Sequence, residues 1–493
     1  MKKITALFLA LIFICLSLFS CSGNGGGTLD VTDDGNDTTA SEEQVPTIDG
    51  SQIAITTDNF SVDLSVVAFF FYEIYNADVS QYGSYMSLMG LDTTKPLKDQ
   101  TYGDATWFDF YLDSALERIE SILLFCEYAN ENGIELSEAD KKEIDTSISQ
   151  IASQAARENT TTDALISKYY GPIVNEQVFR KCFEITALSS KGYEHYINTL
   201  TYTEEEYEEY YSANKSIFDR VDVYKYAIGA SIPEDATEDE ANAILAAAKA
   251  EAESICSAES VEDFKARLGE HIKSLYTGEN ELSESAVEAR VNSCLTEGVT
   301  VSELVGLGFA EDADFTVGSY IVKESDADSY QLVYITTEPA RNSKLIADMR
   351  YILLTSDTYS TEAEAREKAE EIHGEYLAGT PGVESFSALV NEYSDETYNK
   401  DVGGLIEGLY EGGLSDAELS AWLFDRSRVQ GDTAVVGISA GIMIVYFEAF
   451  TGQQWVQEVL YYLQGEDYKV KLEELKGTVV YTEIEDVISQ FEA

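Results

Sequence analysis

The feature that most restricts this chain is a pattern that occurs twice. An alternating run, Val221-Asp-Val-Tyr-Lys-Tyr-Ala-Ile, is followed by a polar turn and an Ala-rich stretch from Glu238 to Ser257 with helical periodicity. The same order returns as Met349-Arg-Tyr-Ile-Leu-Leu and a helical stretch from Thr361 to Leu377. Period two reads as strand, period near 3.6 as helix, and self-similarity along a chain means one supersecondary unit used twice. Val261-Glu-Asp-Phe-Lys-Ala-Arg-Leu lines up with Val383-Glu-Ser-Phe-Ser-Ala-Leu-Val, and Tyr226 with Tyr351. Each copy closes on a strand, Tyr330-Gln-Leu-Val-Tyr-Ile in the first and Gly441-Ile-Met-Ile-Val-Tyr-Phe in the second. Two tandem α+β domains follow.

Helices precede them. Phe60 to Tyr75 is dense in apolar and aromatic residues, and Leu112, Leu116, Ile119, Leu123 and Cys126 recur at helical spacing between Trp107 and a stop at Asn132-Gly133. Ser137 with Asp140 makes a capping-box-like start for a helix with Ile144, Ile148, Ile151 and Ala155 on one face. A short helix over Asp163 to Tyr170, another capped by Asn175, and one opening at Thr203 with Tyr207, Tyr210 and Tyr211 complete a helical domain. After Thr451 the chain turns helical again through Trp455, Val459, Leu460 and Leu463. It ends in a strand-like Thr478-Val-Val-Tyr and a last short amphipathic piece.

The N-terminus carries an address. Lys2 and Lys3 precede an apolar stretch from Ile4 to Phe19, which ends in Leu18-Phe19-Ser20-Cys21. This predicts a signal peptide over 1–20 with a lipobox, so that Cys21 is acylated and the protein is anchored by lipid on the extracytoplasmic face of the cell membrane. The Gly-, Ser-, Thr- and Asp-rich stretch to residue 47 reads as a disordered tether. Within it, Asp30, Thr32, Asp34 and Gly35 match half a calcium loop, but Ser41 stands where the bidentate Glu belongs, so we read linker. Lys+Arg number 32 against 90 Asp+Glu, a net charge of −58, which excludes nucleic acid as a partner because phosphate backbones are held by cationic side chains. The acidity suits a solvated surface, or a protein kept soluble while handling sticky chains. Cys126, Cys182, Cys256 and Cys294 form no C-x-x-C pair and read as buried free thiols; His195, His271 and His373 read as surface residues. Nothing in the sequence points to a metal, nucleotide or redox cofactor.

The second repeat resembles a parvulin-type peptidyl-prolyl isomerase domain, and nearly the whole chain resembles the PrsA/SurA-type extracytoplasmic foldases. The resemblance rests on Met349-Arg-Tyr-Ile-Leu-Leu, where the family has Arg-His-Ile-Leu, and on Phe386 to Ser394, where it has Phe-x-x-Leu-x-x-x-x-Ser. It continues through Gly403-Gly404, Leu419, Phe424 and Gly431 to Gly441-Ile-Met-Ile, where the family has Gly-x-His-Ile. Tyr210-Tyr-Ser-Ala-Asn-Lys matches the family's Tyr-x-x-Asn-Lys junction. The fold class implied is α+β and multidomain: a helical SurA-N-like chaperone domain over 48–218, a first degenerate parvulin-like domain over 219–340, a second over 345–451, and a C-terminal helical segment, 452–493, returning to the helical domain.

The departures bear on mechanism. Family members set two histidines across the floor of a proline pocket, beside a Cys or Asp. Here Tyr351 and Met443 take those positions in the second repeat, and Tyr226 and Gln331 in the first. Asp395 or Glu396 stands near the acidic position, Leu414, Leu419 and Phe424 occupy the apolar wall, and Gly-Gly-Asp-Leu-Gly appears as Gly403-Gly-Leu-Ile-Glu-Gly. Rotation about an X-Pro bond faces a barrier of about 18–20 kcal/mol, which an isomerase lowers by holding the twisted amide in an apolar cleft with tuned polar contacts. Tyr351 supplies one hydrogen bond and Met443 a soft apolar surface, which suits a peptide-binding floor or a plain scaffold core. The reading is a membrane-tethered chaperone binding exported, incompletely folded polypeptides. An active isomerase is the first alternative and a solute-binding lipoprotein a lower one.

Overall fold

The computed structural model describes residues 48–326, 328–355 and 357–491. The signal-peptide stretch, Cys21 and the tether with its Asp30-Thr32-Asp34 motif lie outside the described residues. Two compact units divide the rest, one of residues up to Thr201 together with those from Gln464 onward, the other of Tyr202–Leu463.

The first unit opens with a hairpin, β1 (Ile53–Thr56) and β2 (Ser61–Asp63), leading into α1 (Leu64–Tyr82). Every residue from Leu64 to Phe71 is buried, so this half of α1 is a core helix wrapped on all sides. A small hairpin, β3 (Thr101–Tyr102) and β4 (Ala105–Thr106), precedes α2 (Trp107–Glu131), which starts at a Thr106/Asp109 capping box. The Ser137/Asp140 box opens α3 (Glu138–Arg157), with Ile144, Ile148, Ile151 and Ala155 buried as their spacing requires. Then come α4 (Thr162–Tyr170) and α5 (Glu176–Thr199), the latter capped by Asn175, whose side chain accepts from Val178 N. Aromatic rings knit these helices together: Phe69 stacks on Tyr170 at 5.3 Å and meets Phe179 edge-on at 4.8 Å. The buried Glu127 of α2 fixes the hairpin turn, accepting from Thr57 Oγ1 at 2.6 Å, Asn59 N at 2.6 Å and Asn59 Nδ2 at 2.7 Å.

In the second unit α6 (Glu204–Ala213) begins at the Thr203/Glu206 box and runs to α7 (Lys215–Phe218). These helices group with the sheets, so the division falls at Thr201 and not near 218. The first copy contains β5 (Asp219–Gly229), α8 (Glu238–Cys256), α9 (Val261–Ser274), α10 (Glu284–Ser293), β6 (Leu295–Thr300), α11 (Val301–Leu307), β7 (Tyr320–Asp326) and β8 (Ser329–Ile335), with β9 (Ala340–Arg341) added against β5. The second contains β10 (Leu345–Thr355), α12 (Glu362–Ala378), α13 (Val383–Tyr393), β11 (Leu405–Tyr410), α14 (Ala417–Leu423), β12 (Thr433–Ile438) and β13 (Gly441–Gln453). The antiparallel sheets run β6-β5-β8-β7 and β11-β10-β13-β12, which is one topology twice. The long helices cover one face of each sheet, through Ala252 and Phe264 in the first copy and Ala369 and Phe386 in the second.

The ladders correct one residue alignment. Tyr334 stacks on Phe264 and Tyr446 packs on Phe386, so β8 and β13 superpose with Leu332 equivalent to Ile444. Leu332 pairs with Tyr226 and Ile444 with Ile352, which puts Tyr226 on the helix-covered face. The counterpart of Tyr351, opposite Val445, is therefore Lys225, opposite Val333. A shift of one residue exchanges the faces of a strand, and the similar side chains at 226 and 351 concealed it.

The last long helix, α15 (Gln454–Thr478), buries Trp455 and Val459 against Tyr211 and Phe218 within the second unit. From Gln464 its residues belong to the helical unit, where Tyr468 stacks on Phe125 at 5.4 Å and Leu475 joins Leu124 and Tyr128. The strand that follows, β14 (Thr482–Glu483), lies beyond the expected Thr478–Tyr481 and pairs with β1. After the short α16 (Glu485–Ile488), Phe491 enters the helical core. The four described cysteines are free; Cys126, Cys182 and Cys256 are buried and Cys294 is partly so. Burial pushes the Cys256 thiol up to about 12 and Cys126 higher still, which makes them inert. Among the described residues no helix is long and apolar enough to cross a membrane.

Candidate functional site

The face of the second sheet that packs against α14 gathers the residues of interest. Tyr351 on β10 pairs with Val445 and Met443 on β13 pairs with Leu353, so Tyr351 and Met443 are diagonal neighbours on one face. Leu414 comes from the loop before α14, Leu419 from that helix and Phe424 from its C-cap. All five join one apolar cluster. Leu419 and Phe424 are only 5% and 7% exposed, while Tyr351, Met443 and Leu414 are half-buried, so the cluster is a packed floor with an accessible rim.

The polar neighbours sort themselves by what they hold. Asp395 accepts from Thr355 N at 2.8 Å and Thr355 Oγ1 at 3.1 Å, fastening the end of β10. Glu396 is the acid that acts on Tyr351: burial first and then the Glu396 carboxylate push the phenol above its usual range. Asn399, which sequence reasoning passed over, is 3% exposed, and its Oδ1 is buried. Its backbone oxygen accepts from Gly404 N at 2.8 Å, and Gly404 O accepts from Tyr351 N at 3.1 Å. Arg350 donates to Val402 O at 2.6 Å and Gly403 O at 3.1 Å and pairs with Glu448, so the glycine turn is held to β10 from both sides. A lone Asn in a loop has no periodicity to expose it; its one signal is its place just before Gly403-Gly404.

The histidines take no part. The Tyr128 hydroxyl lies 3.2 Å from His195 Nδ1, His271 sits 3.2 Å from Glu251, and His373 lies 2.8 Å from Thr433 Oγ1 with its pKa lowered by burial. His271 and His373 are half-buried, not surface residues as expected, because each helix turns one edge of its ring toward the sheet or a neighbouring helix. Among the described residues no cluster of three or more His, Cys, Asp or Glu side chains could hold a metal.

Among solved structures the chain is similar to PrsA from Bacillus subtilis, at 11% identity, with 90% of this chain and 98% of that one covered and a TM-score of 0.29. It is similar to the peptidylprolyl isomerase PrsA from Bacillus anthracis, at 13% identity over 49% of this chain and 88% of that one, with a TM-score of 0.19. A structure from the study of PEB4 and Cj1289, SurA-like chaperones of Campylobacter jejuni, is 21% identical over 30% of this chain and 55% of that one, with a TM-score of 0.18. The chain resembles the PrsA- and SurA-like proteins. No family profile matches the sequence, and no curated protein matches it.

The first copy differs from the second at the equivalent positions. Lys225 and Gln331 are neighbours on the corresponding face of its sheet, Lys225 opposite Val333 and Gln331 opposite Ala227. The Glu303 carboxyl on α11 is held below its usual range, by hydrogen bonds to Thr300 first and by the charges of Arg220 and Lys225. Lys225 and Gln331 stand where the second copy has the phenol of Tyr351 and the thioether of Met443.

Proposed function

We propose that this protein is a membrane-tethered extracytoplasmic chaperone that binds exported, unfolded polypeptides, with a parvulin-like second α+β domain that serves as a peptide-binding floor without the histidine pair. The carrying observation is that Tyr351 and Met443 are diagonal neighbours on adjacent strands, within one apolar cluster with Leu414, Leu419 and Phe424. A prolyl peptide segment finds apolar area and one phenol there, but no two-ring network to tune a twisted amide. The first domain, with Lys225 and Gln331 at these positions, serves as scaffold. The chain's net charge of −58 keeps client-loaded molecules apart in solution and favours basic clients.

The test pairs two assays on the chain lacking residues 1–20. Suppressed aggregation of a chemically unfolded protein, with no acceleration of cis/trans exchange in a proline peptide, is expected. Leu414→Asp on the accessible rim is expected to weaken peptide binding by about ten-fold, the cost of a charge placed on an apolar contact. Acceleration by the native chain would assign it to active isomerases. No effect on aggregation would remove the chaperone reading.

The anchor is tested separately. In cells fed labelled palmitate the native protein is expected to carry label, and Cys21→Ala to carry none and leave the membrane fraction; equal labelling of both would move the modification elsewhere.

A further inference from the structure

Away from the sheet floor, the helical unit holds large apolar side chains out in solvent. Just past the end of α1, Tyr85, Leu88 and Met89 are 68%, 81% and 54% exposed, and Tyr82 on the last turn of α1 is exposed beside them. A single exposed leucine is ordinary, but a run of large apolar side chains in solvent marks a surface that binds something. The segment that carries them is pinned. Met86 and Leu91, interleaved with the exposed residues, are 2% and 1% exposed and belong to the helical core. Tyr85 O accepts from Leu88 N at 2.9 Å, and Met86 O accepts from Leu91 N at 2.9 Å. Gln100 ties down the far end: its Oε1 accepts from Asp92 N at 2.7 Å, and its Nε2 donates to Asp92 O and Lys95 O, each at 3.0 Å. The backbone is thus fixed with two anchors inward and three apolar side chains outward. A cleft of about 330 Å³ opens in the same segment, lined by Met86 and Leu91 with Asp92 among its polar residues.

Charge selects what fits there. Between residues 76 and 106 stand four aspartates, Asp78, Asp92, Asp99 and Asp104, against Lys95 and Lys98. Both lysines are engaged, Lys95 with Asp92 at 3.0 Å and Lys98 over the Phe108 ring at 4.3 Å. With a net charge of −58 on the whole chain, an anionic lipid leaflet and a second copy of the chain are both repelled. A polypeptide segment with apolar side chains set among Lys or Arg is attracted. We infer that the 82–91 loop is a second client-docking surface, distinct from the sheet floor, which takes short apolar segments of unfolded polypeptide flanked by basic residues. This rests on the proposed chaperone role and extends it to the helical unit. Tyr85, Leu88 and Met89 supply the contact area, the thioether of Met89 adapting to different client shapes, and the cleft above Met86 and Leu91 admits a client side chain.

The experiment titrates the chain lacking residues 1–20 with a short fluorescent peptide in which Leu and Phe alternate with Lys, and with its counterpart carrying Glu for Lys. The Lys peptide is expected to bind about ten-fold tighter than the Glu peptide, with the gap closing as salt is added. Leu88→Ser combined with Met89→Ser is expected to weaken binding of the Lys peptide about ten-fold, the effect of withdrawing aliphatic surface from a contact. Its unfolding midpoint should not move, since both side chains are exposed, and a proline peptide read at the sheet floor should bind it as it binds the native chain. Leu275→Ser, at a leucine 59% exposed in the first α+β copy, is the control and is expected to change nothing. Full affinity of the double variant for the Lys peptide, while the native chain still suppresses aggregation, overturns the inference and leaves the chaperone reading standing. No binding and no suppression by the native chain overturn both. Sedimentation with phosphatidylglycerol vesicles, or a dimer in solution, that the double variant loses would assign the loop to a membrane or to a second copy and overturn the inference.

Discussion

Replacing Phe491 with alanine is expected to destabilise the helical unit by about 3–5 kcal/mol, the usual cost of removing a fully buried aromatic ring. Phe491 is followed by only two residues of the 493-residue sequence, yet it is 2% exposed. Its ring meets Phe71 edge-on at 5.1 Å and Phe108 at 5.8 Å, with Tyr72 at 6.3 Å. Those partners lie on α1 and α2, so the tail closes a core whose other members are far upstream. Amide hydrogen exchange checks the claim by region. Protection in α1 and α2 should fall sharply while that of β10 and β13 holds, and a loss below about 1 kcal/mol, the typical surface-like range, would mean that the tail merely lies on the core.

Gly404→Ala is expected to have the largest effect on the candidate site. At φ +76° an L-residue is strained, at roughly 1–2 kcal/mol. In addition, an added Cβ would come within 2.5 Å of the Tyr351 carbonyl oxygen and 2.9 Å of Val390, in a place where neither strand nor helix can yield. The expected total is about 3–4 kcal/mol, with overpacking supplying the part beyond strain. Because Gly404 O also accepts from Tyr351 N, a shifted turn displaces Tyr351 and peptide binding should be lost as well. Gly408→Ala is the control: its φ is +72° but nothing stands within 4 Å of the added atom, so only the conformational cost of about 1–2 kcal/mol should appear. Equal losses in denaturant unfolding of the two variants would show that the close approach at Gly404 is relieved by movement of the strand.

Local signals in the sequence carried well where local physics decides. Capping boxes at Ser137 and Thr203 and the cap at Asn175 stand where side chains could be read against backbone donors a few residues away. The repeat was legible because each copy must alternate apolar residues toward two covered faces of one sheet. The pairing of Tyr226 with Tyr351 failed, since parity along a strand depends on which neighbour it meets across the ladder, and that partner lies roughly a hundred residues away in sequence. The choice between Asp395 and Glu396 failed to resolve for the same reason: two adjacent acids look alike until one is seen holding Thr355 and the other facing Tyr351.

By itself the sequence determined the order of helices and strands, the duplicated α+β unit and the strongly acidic composition. Each of these follows from periodicity, composition or a linear motif, and all are properties of neighbours along the chain. Only the tertiary structure decided that Phe491 belongs to the core of α1, that Lys225 and not Tyr226 is the counterpart of Tyr351, and that the Asn399–Gly404 turn is tied to the backbone of Tyr351. Those depend on strand register and chain closure. Both are set by the burial of apolar faces between segments distant in sequence, a free energy spread over many small contacts that leaves no local mark.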